Sequence, residues 1–244
     1  MDRVHLLGIP IDPVTMEQAL VRVQQMLEST AQFHVMTPNA EMLVEASHNP
    51  TFRTVLKKGA LNIPDSISVV WMARLTQQHL PERVTGVDFV QRLCARLTEQ
   101  HPVFLLGGRE GVGRRASERL RRCNPHLSVV GTFEGTPHDA SAPEIIQCIN
   151  EAKPHLLLVA YGAPQQDLWI EKHFHELPSV RVAMGVGGTF DFIAGVQQRA
   201  PQILQSLGLE WLWRFMLEPR RWRRMWRALV VFPILVLRYG KKIS

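Results

Sequence analysis

The sequence predicts an α/β fold on a mainly parallel sheet, and three observations carry that prediction. Short runs rich in leucine and β-branched residues alternate with helical patterns along the chain. Four of the runs end at or just before glycine, at Gly107–Gly108, Gly131, Gly162 and Gly187–Gly188. The 244 residues, 45% of them apolar, are enough to bury a substantial core. In open sheets of this kind ligands bind beyond the carboxyl ends of the strands, where glycine lets the backbone approach a phosphate. The expected core is therefore Rossmann-like and nucleotide-binding.

In chain order, the strand-like runs are RVHLLGIPI (3–11), FHVMT (33–37), ALNIP (60–64), PVFLLGG (102–108), LSVVGTF (127–133), HLLLVAYG (155–162) and VRVAMGVGG (180–188). Asn39 suits the N-cap of a helix starting at Ala40, with Glu41 favourable in its first turn. Asp65 follows a short strand, where it can project into the ligand crevice and can also cap the helix SISVVWMARL (66–75), two readings that do not exclude each other. GTPHDASAP (135–143) reads as a surface loop and AGVQQRAP (194–201) as a junction. The expected organisation is an α/β body over 1–195 and a helical appendage over 196–244.

Charge divides at the same place. Residues 1–195 carry 18 Lys+Arg against 20 Asp+Glu, whereas residues 196–244 carry 10 basic residues against only Glu210 and Glu218. The basic partner site is thus local to the tail. A nucleic-acid partner would use such a tail to grip phosphates, but it leaves the neutral, glycine-punctuated body unexplained. Cys94, Cys123 and Cys148 form no C-x-x-C pair, which argues against a disulfide framework and a thiolate metal site. The N-terminus lacks the apolar stretch of a signal peptide, so the expected location is cytoplasmic.

Competing chemistries are weaker. Gly111-Val-Gly113-Arg-Arg-Ala116 fits G-x-G-x-x-A, with Glu134 downstream, but Gly107, Gly108, Arg109 and Glu110 intervene after the apolar strand residues; a dinucleotide fingerprint follows its strand directly. No G-x-x-x-x-G-K-[ST] occurs, which argues against a P-loop. His173 and His175 make an H-x-H that suits solvated surface better than metal, and none of the seven aspartates forms D-x-D. No metal and no cofactor are expected, and activity should survive a chelator. A sugar diphosphate would then be neutralised by protein groups, with the tail arginines as the candidates.

The segment EPRRWRRMWR (218–227) packs five arginines and two tryptophans into ten positions. Glu218 and Pro219 suit a helix start, and the apolar run 228–237 contains Pro233 and falls short of the roughly 20 residues that span a bilayer. Trp222 and Trp226 at headgroup depth, with Arg220, Arg223 and Arg227 facing anionic lipid, fit a helix lying in the interface.

Eight ordered motifs then carry a resemblance: TPNAEML (37–43), IPDSISVVW (63–71), ERVTGVD (82–88), FLLGG (104–108), YGAPQQDLWI (161–170), GVGGTFDFIAG (185–195), RAP (199–201) and GLEWLWRFMLEPRR (208–221). Together they resemble the WecG/TagA/CpsF family of bacterial glycosyltransferases over nearly the whole chain. The resemblance implies inverting transfer of a sugar, most often N-acetylmannosamine, from a UDP-sugar to undecaprenyl-diphosphate-linked N-acetylglucosamine. The products are teichoic-acid linkage units or other surface polysaccharides, and UDP-N-acetylmannosaminuronate or UDP-glucose is the alternative donor.

It also implies roles for residues. Asp65 of the "PD" motif corresponds to the general base, and Thr37 and Asn39 lie near the donor and the reacting centre. Arg83 contacts a phosphate or pairs with Asp88 or Glu82, and Gln166 matches the glutamine of G-x-P-K-Q-E. Gly187, Gly188, Thr189 and Asp191 border the nucleotide, or else form a tight turn. Arg214, Arg221 and Arg224 correspond best to the arginines on the diphosphate. Gln165 stands where the family has lysine, Asp167 where it has glutamate, and Ser66 where it has glycine. Expected partners are the donor, the lipid-linked acceptor and an anionic membrane surface. A homo-oligomer is left open.

Overall fold

The computed structural model describes residues 2–206, 208–218 and 222–241, apart from the side chains of Gln205, Ser206 and Arg214. Arg220 and Arg221, and the side chain of Arg214, lie outside the described residues. The chain forms a six-stranded parallel sheet with helices on both faces. Its strands are β3 (Phe33–Met36), β4 (Leu61–Asn62), β5 (Val103–Gly107), β6 (Val129–Phe133), β7 (Leu156–Ala160) and β8 (Val182–Gly185), in the order β4-β3-β8-β7-β5-β6.

The central strands are buried on both faces, which is why β5 and β7 read as unbroken apolar runs. Their side chains still divide with period two. Val103, Leu105, Leu156 and Leu158 face a core with α1 (Met16–Glu28), α5 (Gly86–Arg96) and α6 (Val112–Cys123). Phe104, Leu106, Leu157 and Val159 face α7 (Ala142–Ala152) and α8 (Gln165–His173).

Two strand readings change in three dimensions. The run at 3–11 is a hairpin of β1 (Val4–Leu6) and β2 (Ile9–Ile11), outside the main sheet. Leu7 and Gly8 both have positive φ, 52° and 77°, as a two-residue primed turn requires, so the chain reverses there. Gly131 lies within β6 and does not end it. A Cβ at that position would lie 2.4 Å from the Phe104 ring, so glycine leaves room for an aromatic on the neighbouring strand.

The edge strand β4 is only two residues long and is held by polar contacts. Asp12 accepts from the Asn62 backbone N–H at 2.8 Å, and the fully buried Asn62 amide donates to Pro10 and Leu56 carbonyls at 2.7 and 2.8 Å. The Ile63 N–H then bonds the Met36 carbonyl at 2.8 Å, carrying the register of β3 to the residues that follow β4.

A third core joins the hairpin, α2 (Ala40–His48), α3 (Pro50–Lys58), α4 (Ile67–Leu75) and the C-terminal helix. That helix runs as α12 (Trp222–Trp226), a π-helical turn (Arg227–Val231) and α13 (Phe232–Tyr239). The π turn lies directly ahead of Pro233, which has no N–H to give an α-helical ladder, and the helix passes through without a break. Phe232 and Val236 are fully buried against the body, and the Leu7 and Gly8 N–H groups bond the carbonyls of Gly240 and Lys241. Among the described residues, no helix is long and apolar enough to cross a membrane.

Candidate active site

A cleft of about 760 Å³ opens beyond the carboxyl ends of β3, β4, β7 and β8. Thr37, Asn39, Asp65, Arg83, Gln166, Gly187, Gly188, Thr189, Asp191 and Arg224 all line it, so most of the residues singled out in sequence converge in one place. The tail closes one side through α11 (Glu210–Leu217) and the 222–239 helix.

Side chains bonded to backbone build the body wall. Asp65 follows β4 and accepts from the Gly86 N–H at 2.9 Å, the first residue of α5. It does not cap the helix after it: Ser66 is the N-cap of α4, without a side-chain cap bond. The carboxylate is therefore oriented across the cleft floor, at the positive end of a neighbouring helix. Asn39 caps α2, accepting from the Met42 N–H at 3.1 Å, while also lining the cleft. The two readings of this residue are compatible.

Gln166 works as a bracket. Its buried Oε1 accepts from the Gly162 N–H at 3.1 Å and the Gly187 N–H at 2.9 Å, tying the loops after β7 and β8. A Cβ on Gly185 would lie 2.4 Å from the Gln166 Nε2, so glycine is required beneath the bracket. The two family departures beside it separate: Gln165 is exposed in the cleft, whereas Asp167 is fully buried, 3.5 Å from His34 Nε2.

The tail wall is held by ion pairs. Arg224 makes a bidentate pair with Glu41, at 3.0 and 2.7 Å, and Arg227 lies 3.7 Å from Glu45 one turn along α2. Arg227, read in sequence as lipid-facing, keeps about half of its side chain exposed beside this contact. Arg223 stacks over Trp222 at 5.5 Å, and Trp222 and Trp226 are each 56% exposed on the outer side.

A second cluster joins the junction to the cleft floor. Arg199 pairs with Asp88 of α5, and its Nε lies 3.6 Å from Glu210, which is 3.8 Å from Arg83. Burial pushes the Asp88 carboxyl up, but hydrogen bonds from Arg199 and Thr85, with the charges of Arg199 and Arg83, hold it below the ordinary carboxylate range. Neither Arg199 nor Glu210 is marked by its local sequence beyond lying in the motifs RAP and GLEW.

The G-x-G-x-x-A stretch lies elsewhere. Gly111 is the N-cap of α6, and its N–H bonds the Glu134 carboxylate at 2.7 Å, so the acidic residue closes the loop's own helix end.

With this geometry, residues 4–244 match the model of the glycosyl transferase WecG/TagA/CpsF family. The chain belongs to that family. Its relatives include the N-acetylglucosaminyldiphosphoundecaprenol N-acetyl-beta-D-mannosaminyltransferase of Bacillus spizizenii, 33% identical over 78% of this chain and 74% of the relative. The Staphylococcus aureus protein of the same name is 28% identical over 99% of this chain and 95% of its own length. This glycosyltransferase therefore shares both the body and the tail with the second relative, and its cleft is the candidate site of sugar transfer.

Proposed function

We propose that the protein transfers N-acetylmannosamine from its UDP derivative to undecaprenyl-diphosphate-linked N-acetylglucosamine, at the cytoplasmic face of the membrane. The observation that carries this reading is the placement of Asp65, a carboxylate oriented by the Gly86 N–H in a cleft that glycine-rich strand ends border. The relatives' names supply the sugar and the acceptor.

In the proposed reaction Asp65 takes the proton of the acceptor hydroxyl as its oxygen attacks the anomeric carbon. The new C–O bond forms on the face opposite UDP, and the bond to the diphosphate oxygen breaks with its electron pair on UDP. Inversion follows from that single displacement. Gly187, Gly188, Thr189 and Asp191 border the nucleotide, with Thr37 and Asn39 at the reacting centre. Arg83, Arg214, Arg221 and Arg224 neutralise the leaving diphosphate. For Arg224 this means exchanging Glu41 for phosphate, which an exposed ion pair permits because such pairs are worth roughly 0–1 kcal/mol. Trp222, Trp226, Arg220 and Arg223 rest on anionic lipid, and residues 196–244 act as cover and attachment for the 1–195 body.

The test is a panel of UDP-sugars offered with a lipid-diphosphate N-acetylglucosamine, read by product mass. An N-acetylhexosamine increment from the mannosamine donor alone is the expected outcome. A different increment replaces the donor, and no product from any UDP-sugar rejects the reading.

A further inference from the structure

One end of the cleft is apolar in a way that a nucleotide sugar does not explain. On α4, Ser68, Trp71 and Leu75 follow one another at helical spacing, starting beside Asp65 and running away from it. Over that stretch the helix rises about 10 Å. Trp71 lines the cleft yet is 53% exposed, and Leu75 is 63% exposed. Met225, Leu229 and Pro233 of the C-terminal helix, at intervals of four, line the same cleft as Ser68 and Trp71. Beyond lie Ile234 and Leu237, exposed by 57% and 73% on the helix that carries Trp222 and Trp226. The cleft thus grades from carboxylate and hydroxyls at its floor, past arginines, to an apolar slot at the proposed lipid side.

We infer that the slot between α4 and the 222–239 helix holds the first part of the acceptor's prenyl chain, with Trp71 and Leu229 as its two walls. The inference rests on the transferase reading above. It commits to this occupant because the order of surfaces matches an amphiphile whose sugar reacts at Asp65 and whose hydrocarbon leaves toward the membrane. Apolar burial along the chain then becomes acceptor specificity.

The experiment compares kcat/KM of the full chain on two N-acetylglucosaminyl diphosphates, one on an undecaprenyl chain in detergent micelles and one on a two-carbon chain. Wild type, Trp71→Gln and Leu229→Gln are measured, with thermal melting to confirm folding. The expected result is a wild-type preference for the long chain that each variant narrows by about tenfold, through KM for the long acceptor. A preference that survives in both variants, or equal slowing on both acceptors, overturns the slot while the transferase reading stands. A wild-type chain that uses neither acceptor overturns the transferase reading, and the slot with it. Sedimentation with anionic vesicles free of acceptor supplies the second readout. Loss of vesicle binding in step with the lost preference would make these residues a membrane anchor and overturn the slot.

Discussion

The two walls of the cleft are held by different kinds of bond. On the body side, Asp65, Asn39 and Gln166 each bond backbone N–H groups at the start of a helix or in a loop after a strand, so their positions follow from the fold. On the tail side, Arg224, Arg227 and Arg199 meet Glu41, Glu45, Asp88 and Glu210 through side chains alone. The body wall is preorganised, whereas the tail wall is made of exchangeable charges, although Phe232 and Val236 pin its last helix to the core. The inverting transfer proposed above would need both. A base must be aimed before substrate arrives, while the cover over a diphosphate must yield to admit it.

The sharpest break of this comparison is Asp65→Asn. It keeps an acceptor for the Gly86 N–H but removes the base, so turnover should fall roughly 10²–10⁴-fold. UDP binding, followed by calorimetry, should persist, and near-normal turnover would remove Asp65 from the chemical step.

Gln166→Leu attacks the preorganised wall through stability. Two backbone N–H groups lose their buried acceptor, each worth about 1–3 kcal/mol, so urea unfolding should show a loss of that order. A variant as stable as wild type would mean that water replaces the bracket.

Replacing Trp222 and Trp226 by alanine tests the tail's outer side. Vesicle partitioning should fall by at least about tenfold, because each buried aromatic contributes roughly 1.5–3 kcal/mol. Partitioning equal to wild type would move the attachment elsewhere.

Arg199→Ala removes a cation from Asp88 and Glu210, both of which still feel Arg83, and should loosen the junction by about 1–3 kcal/mol. The sign of its pH dependence follows from Asp88, whose folded-state pKa lies below the ordinary 3.8. The stabilisation is present above 3.8 and is lost as pH falls through the lower folded value, so the variant and wild type should converge only in strong acid. A deficit that stays constant to the acid limit would assign the effect to packing.

The smallest effect belongs to Glu41→Gln. Stability should change by less than about 1 kcal/mol, since the Arg224 pair is exposed. KM for the UDP-sugar should fall slightly, because Arg224 no longer has to leave a carboxylate. A rise in KM would show that Glu41 itself holds substrate.

Much of the α/β rhythm was legible in sequence because a doubly buried strand writes itself as a local apolar run, as β5 and β7 do. Asp65 was legible for the same reason, because it follows a run whose end is visible, whereas Asn39 read locally as a helix cap and Thr37 was singled out only by the family resemblance. The hairpin at 3–11 was missed because Leu7, a residue that disfavours positive φ, occupies half of its turn. Asp65 suited both crevice and cap because both need a carboxylate at one spot. Only the approach of Gly86, 21 residues on, decides where the side chain turns.

Composition and spacing alone determined the parallel sheet, the charge split at the junction and the amphipathic character of the basic tail. Each is a property of neighbouring residues, expressed through period and local charge. The tertiary structure decided which acid meets which base. Glu41 and Arg224 are 183 positions apart, and Asp88 and Arg199 are 111 apart. No local pattern selects between the tail's ten basic residues as partners for a given carboxylate, because Coulomb attraction depends on distance in space, which the packing of Phe232 and Val236 against the body sets.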